Sequence, residues 1–146
     1  MSEFDRNRRF SIMAQAGAEA ERLMILAEQV LVVSGESVTV VTPPRVGMMM
    51  LRLREPVHGS TFNAGEVLVT EARIALGEHQ GYAMQLGRAP ELTLAAAVLD
   101  AAVEAAHPLT PDILVGLATL EAAERTRQLA AWGEVAATRV AFDEMR

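Results

Sequence analysis

Apolar and polar positions alternate most clearly between Glu66 and Leu76. There Leu68, Ala72, Ile74 and Leu76 share one face, and Glu71 and Arg73 lie opposite. This period of two predicts a half-buried strand. The segment Gly77–Gly81, GEHQG, then leads into Tyr82–Leu86, so the two runs read as a hairpin. Upstream, Val46–Arg54 also alternates: Met49, Leu51 and Leu53 point one way, and Met48, Met50, Arg52 and Arg54 the other. A β-branched run from Ser37 to Val41 predicts one more short strand, stopped by Pro43-Pro44. A loop is expected from Glu55 to Ala64, with Pro56, His58 and Gly59 inside it.

Helical periods fill the two ends of the chain. Arg6 to Ala16 reads as a short helix closed by Gly17, and Ala18 to Val30 as a second with Leu23, Leu26, Ala27 and Val30 on one side. Ser34-Gly35-Glu36 ends it. Pro90 to about Ala106 places Leu92, Ala95, Leu99, Ala102 and Ala106 at helical spacing, and Pro108 stops that run. Thr110-Pro111-Asp112 predicts the next start, with Thr as N-cap, Pro at the first helical position and an acid in the first turn. The last helix continues from there, bent at Gly133, with Glu121 and Arg125 spaced for an i,i+4 pair. The order predicts an α+β fold: a small antiparallel sheet of about four strands, flanked by two N-terminal helices and two longer C-terminal helices. A single domain over residues 1–146 is expected, with roughly two-thirds of the unfolded surface buried.

Composition narrows the function classes. Apolar residues make up 51% and charged residues 22%, which suits a globular chain rather than a disordered one. A net charge of -6 argues against a general nucleic-acid binder. Every side-chain cation other than histidine is one of 13 arginines, since lysine is absent. That reads either as codon bias or as a preference for bidentate anion contacts, which arginine makes better than lysine. Without cysteine there are no disulfides, thiolate metal sites or thiol catalysis. No signal peptide is visible, and no apolar run approaches the roughly 18 residues needed to cross a bilayer, so a cytoplasmic location is expected.

Candidate chemistry is sparse. His58, His79 and His107 fall in predicted loops or helix ends without the spacing of a helical metal site, so no metal is expected and solvent-exposed positions are. His58 and His79 still lie at connections of one sheet, where they can converge. Glu71 reads as a solvated strand residue and Asp100 as a helix-face residue, and Glu66 follows Gly65 at a strand start. Gly87-Arg88 stands where a strand enters a helix, and a helix amino terminus offers N–H groups to an anion. The catalytic residues are unknown; Arg88, Glu66 and Tyr82 are the candidate ligand contacts. Met48-Met49-Met50, among eight methionines in all, suggests an adaptable apolar surface. A strand with methionine on both faces needs cover on both, from its own helices or from a partner.

Several of these residues, in order, resemble the PhnG family of the bacterial carbon–phosphorus lyase system. Pro44-Arg45-Val46-Gly47 leads into the apolar strand, and Gly65-Glu66 is followed by Thr70 and Ala72. Gly81-Tyr82, Gly87-Arg88 and Ala97-Val98-Leu99-Asp100-Ala101 complete the middle, and Glu134-Val135, Arg139-Val140 and Phe142 close the chain. The resemblance implies a subunit of alpha-D-ribose 1-methylphosphonate 5-triphosphate synthase, acting with the H, I and L subunits. Together these transfer the ribose triphosphate moiety of ATP to an alkylphosphonate and release adenine. It implies contact chiefly with the I subunit, and ATP and alkylphosphonate as substrates of the complex, with no cofactor bound by this chain alone. Some relatives carry a cysteine near Ala97 that this chain lacks, and no catalytic residue carries over. The alternative is a free-standing small-ligand-binding or regulatory α+β domain, without nucleic acid or membrane as partner.

Overall fold

The computed structural model describes residues 5–14 and 20–144, with side chains as far as Ala131 except that of Glu36. The predicted closure at Gly17 lies outside those residues. Helix α1 spans Arg6–Ala14 and α2 spans Ala20–Ser34, followed by a 3-10 turn at Gly35–Ser37. Three strands come next: β1 over Val38–Arg54, β2 over Thr61–Leu76 and β3 over His79–Leu86. Helix α3 runs over Pro90–Glu104 and α4 over Thr110–Glu144. The α+β class is as expected, with an antiparallel sheet of order β1-β2-β3.

The sheet has three strands because the two predicted first strands are one. β1 passes through Pro43-Pro44 by register shifts between Val40 and Thr42 and between Thr42 and Arg45. Proline removes a ladder donor, which an edge strand tolerates where a central one does not. The predicted loop is also shorter, since β2 begins at Thr61. Gly65, at φ +143°, faces Leu51, and a further shift beside it leaves Ala64 as an extra residue. At the other end, Gly77 takes φ +60° in a two-residue connection that pairs Leu76 with His79. Glycine at the first central position suits a hairpin turn of this kind.

Helix α3 is the centre of the core. Thr93 and every residue from Ala95 to Ala102 are buried, because the sheet covers one side of the helix and α2 another. Alanine supplies apolar contact at close range without side-chain entropy to lose. On β2 the inward row is Thr70, Ala72, Ile74 and Leu76; Ala72, Ile74 and Leu76 are as the alternation predicts, whereas Leu68 is exposed and Thr70 is buried in addition. From α2 come Leu23, Ala27 and Val30, and from α4 Ile113, Leu117 and Leu120. Past Leu120 no residue of α4 is buried as far as Ala131.

Helix ends are fixed by local hydrogen bonds. Asp5 caps α1, its Oδ1 accepting the Arg8 N–H at 2.8 Å. Helix α3 ends in a Schellman arrangement: Ala106, at φ 53°, donates to the Val103 carbonyl, and His107 donates to that of Ala102. The expected Thr110 cap is not made. Its hydroxyl is buried without a hydrogen-bond partner among the described residues, and the Leu109 carbonyl accepts the Ile113 N–H instead. His107, expected in solvent, is buried. Its Nδ1 accepts the Leu109 N–H at 3.0 Å, so a neutral ring donates from Nε2 to Ser34 Oγ at 2.8 Å. The ring thereby clips the ends of α2 and α3 to the start of α4. Among the described residues no helix is long and apolar enough to cross a membrane.

Close approach of β3 to α3 is set by Gly81. A Cβ there would enter the Ala97 carbonyl oxygen and the Ala101 nitrogen, and would stand 2.8 Å from the Ala101 Cβ. Backbone atoms cannot yield as a side-chain tip can. Gly81→Ala is therefore expected to lower stability by about 3 kcal/mol or more, read as a fall in the urea midpoint at unchanged slope.

Candidate functional site

Strand β3 is an edge strand, so its outward backbone groups need partners. Helix α1 and Asp100 of α3 supply them. With Gly81 letting α3 close in, Asp100 Oδ2 accepts the Tyr82 N–H at 3.0 Å. Arg6 Nη2 donates to the same oxygen at 3.0 Å and to the Gln80 carbonyl at 2.9 Å. Arg9 Nη2 donates to Asp100 Oδ1 at 3.3 Å and also pairs with Glu104. Gln85 Nε2 donates to the Met13 carbonyl at 2.6 Å, which seats the far end of α1 on the same strand. Arg8 joins α1 to α4 by a two-pronged contact with Glu121, at 2.9 and 2.6 Å. The Arg125 partner expected for Glu121 is present at 3.7 Å but is looser.

Asp100 is 2% exposed and Arg9 3% exposed. Charges this deep persist only when paired and hydrogen-bonded, because the packed interior solvates them poorly. Three donors meet the Asp100 carboxylate. The sequence held a signal for this: one acid inside an otherwise apolar AAAVLDAA run, with arginines three apart on α1. Reading Asp100 as a helix-face residue missed it, because the arginines that meet it lie more than ninety positions away.

A second cluster lies on the sheet face away from α3. The Tyr82 hydroxyl donates to Glu71 Oε2 at 2.7 Å, and Arg45 Nε donates to Glu71 Oε1 at 2.6 Å. The Arg73 guanidinium carbon sits 5.2 Å from the Tyr82 ring centroid. Phe10 of α1 stacks on that ring, with centroids 5.8 Å apart and planes 3° from parallel. Burial of the phenol, then the Glu71 carboxylate accepting its proton, push Tyr82 up to about 12. The Tyr82 hydrogen bond, then that of Arg45, hold Glu71 below its ordinary 4.5. Glu71 is thus a paired, half-buried residue rather than a solvated one.

The three candidate contacts are not brought together. Glu66 is exposed within β2 opposite Met50, and Arg88 is exposed in the bend between β3 and α3. Those two lie near one end of the sheet, since the Gly87 N–H donates to the Leu68 carbonyl at 2.7 Å. Tyr82 pairs with Arg73 in the middle of β3, four residues and therefore about 13 Å from the Leu86 end of the strand. At the α3 start, Pro90 has no N–H and the Ala89 N–H is taken by Thr70 Oγ1 at 3.0 Å, which leaves few donors for an anion. His58 lies in the β1–β2 loop and His79 at the opposite end of β2, so they do not converge. Among the described residues no group of three or more His, Asp or Glu is placed to hold a metal ion.

The family described as phosphonate metabolism protein PhnG matches residues 5–146. The chain belongs to the PhnG family. Its role lies in phosphonate metabolism. No curated protein sequence matches it significantly. In this PhnG chain the residues that carried the resemblance are mostly scaffold. Gly81-Tyr82 and Ala97–Ala101 are the two sides of the β3–α3 contact. Thr70 donates to the Gly87 carbonyl at 2.7 Å and, with Ala89, fixes the turn that Gly87 makes at φ +78°. Glu134, Val135, Arg139, Val140 and Phe142 lie on α4, beyond the described side chains.

Replacing Asp100 by Ala takes a carboxylate partner from buried Arg9 and uncaps the β3 edge. A loss of about 3–5 kcal/mol is expected in denaturant unfolding. Tyr82 is the only tyrosine, so its ionisation can be followed directly by ultraviolet absorbance. Its neutral form contributes stability that is full below its ordinary 10.0 and is lost as pH rises through about 12. At a pH midway between those values the folded chain should hold an un-ionised tyrosine. Glu71→Gln should move the transition back toward 10.0, and a parent chain already ionised there would refute the assignment.

Proposed function

We propose that this chain is an accessory subunit of the complex that transfers the ribose triphosphate moiety of ATP to an alkylphosphonate with release of adenine. It acts there with the H, I and L subunits of the carbon–phosphorus lyase system and seats chiefly on the I subunit. The observation that carries this reading is the β1–β2 hairpin. No residue of β1 is buried, and none of β2 is buried before Val69. Met48 is 57% exposed and Met50 49% on one face, with Met49, Leu51, Leu53 and its cross-strand partner Phe62, 50% exposed, open on the other.

A two-stranded ribbon that is apolar on both faces is marginal in water, and contiguous apolar surface of this kind marks a contact site. The chain's helices lie over the other end of the sheet, so a partner supplies the missing cover. Arg88 and Glu66 stand near the root of this ribbon, where they would meet substrate or partner at a subunit boundary. Tyr82 would act from the other end, through the Glu71 pair. A free-standing ligand-binding domain would instead be expected to present a hydrated polar sheet face.

Co-expression with the H, I and L subunits tests the reading. Met48→Ser combined with Met50→Ser should leave the melting temperature of the isolated chain unchanged. Each buried methionine contributes about 1.5–3 kcal/mol, so affinity for the I subunit should fall by about a hundredfold or more. A parent chain that copurifies with none of the subunits would sink the proposal. In the assembled complex, Arg88→Ala should lower ribosyl transfer; full activity would remove Arg88 from the site.

A further inference from the structure

Between α1 and the outer sheet face lies an open cleft of about 240 Å³, lined by Arg6, Asn7, Phe10, Arg73, Tyr82 and Asp100. That is below the roughly 300–1,000 Å³ of a drug-sized site and suits a group of a few heavy atoms. Its charges are unevenly committed. Arg6 is tied to Asp100 and Arg45 to Glu71, whereas Arg73 forms no ion pair within 4.0 Å among the described residues. The only hydrogen bond of Arg73 among them is to Gln80 Oε1, at 3.4 Å. Arg6 uses Nη2 alone, toward the carbonyl of that same Gln80 and toward Asp100. Two guanidinium groups therefore converge on one residue, with donors left over on each.

We propose that this cleft binds a small tetrahedral oxyanion, a phosphoryl or phosphonyl group, held between Arg6 and Arg73. Guanidinium N–H pairs match the oxygen spacing of such groups, and both arginines are positioned before the ligand arrives. Asp100 fixes Arg6, and its carboxylate, already met by three donors, serves as an anchor. The Tyr82 ring and its Phe10 neighbour give Arg73 an aromatic face to lie on, which narrows its freedom. Asn7 adds amide donors at the rim. The Glu71 carboxylate is turned to Tyr82 and Arg45.

Isothermal titration of the full-length chain tests the site, with inorganic phosphate, methylphosphonate and acetate at constant ionic strength. Saturable binding of phosphate or methylphosphonate, tighter than that of acetate, is expected, and whichever of the two saturates identifies the group. Arg73 is exposed, so Arg73→Gln should keep the parent melting temperature and bind about tenfold more weakly. The proposal falls if neither tetrahedral anion saturates, if acetate binds as tightly, or if Arg73→Gln binds like the parent. The proposal goes beyond the subunit reading, and its failure would leave the copurification outcome untouched.

Discussion

Asp100 carries a full charge into the packed layer between α3 and β3, where an ionised group persists only with its hydrogen bonds complete. The Tyr82 amide, Arg6 and Arg9 complete them, and each answers a further need. The amide would otherwise be an open donor on an edge strand. Arg6 closes a β3 carbonyl, and Arg9 brings Glu104 into the same group. Helix α1, nine residues long, is too short to persist by its own helical hydrogen bonds. Its place on the sheet follows from these ties and from Gln85 and Arg8.

Arginine suits this design better than lysine. Arg6, Arg8 and Arg9 each reach two acceptors, which a planar fork of donors does without reorienting. The two edges of the sheet are then treated differently. The β3 edge is covered by the chain's own helix and carboxylate. The β1 edge, and the ribbon it forms with the start of β2, is left with apolar side chains in water. A protein that closes one edge so thoroughly and leaves the other open is shaped to be completed by another chain.

Much of the scaffold was legible in the sequence because it rests on local periods. Ala72, Ile74 and Leu76 defined the β2 face, and Leu23, Ala27 and Val30 that of α2. The Gly77 turn followed from its glycine. Ser37–Val41 and Val46–Arg54 were less legible: Pro43-Pro44 signals a stop locally, and only pairing with β2 shows an edge strand carried past it by bulges. Thr110 and His107 misled for a similar reason. A Thr-Pro-Asp start implies a capping hydroxyl, yet the carbonyl of Leu109 and the His107 ring take over that corner.

The sequence by itself determined the main apolar faces, where the helices and the β2–β3 hairpin lie, and the family resemblance, since these rest on short local patterns. Only the tertiary structure decided that Asp100 meets arginines more than ninety positions away. It alone set Tyr82 against Glu71, Arg73 and Phe10, and left Arg73 without an ion pair within 4.0 Å among the described residues. The physical reason is that burial and Coulomb contact depend on distance in space, and alternation along a chain carries no record of which distant segment will lie across it.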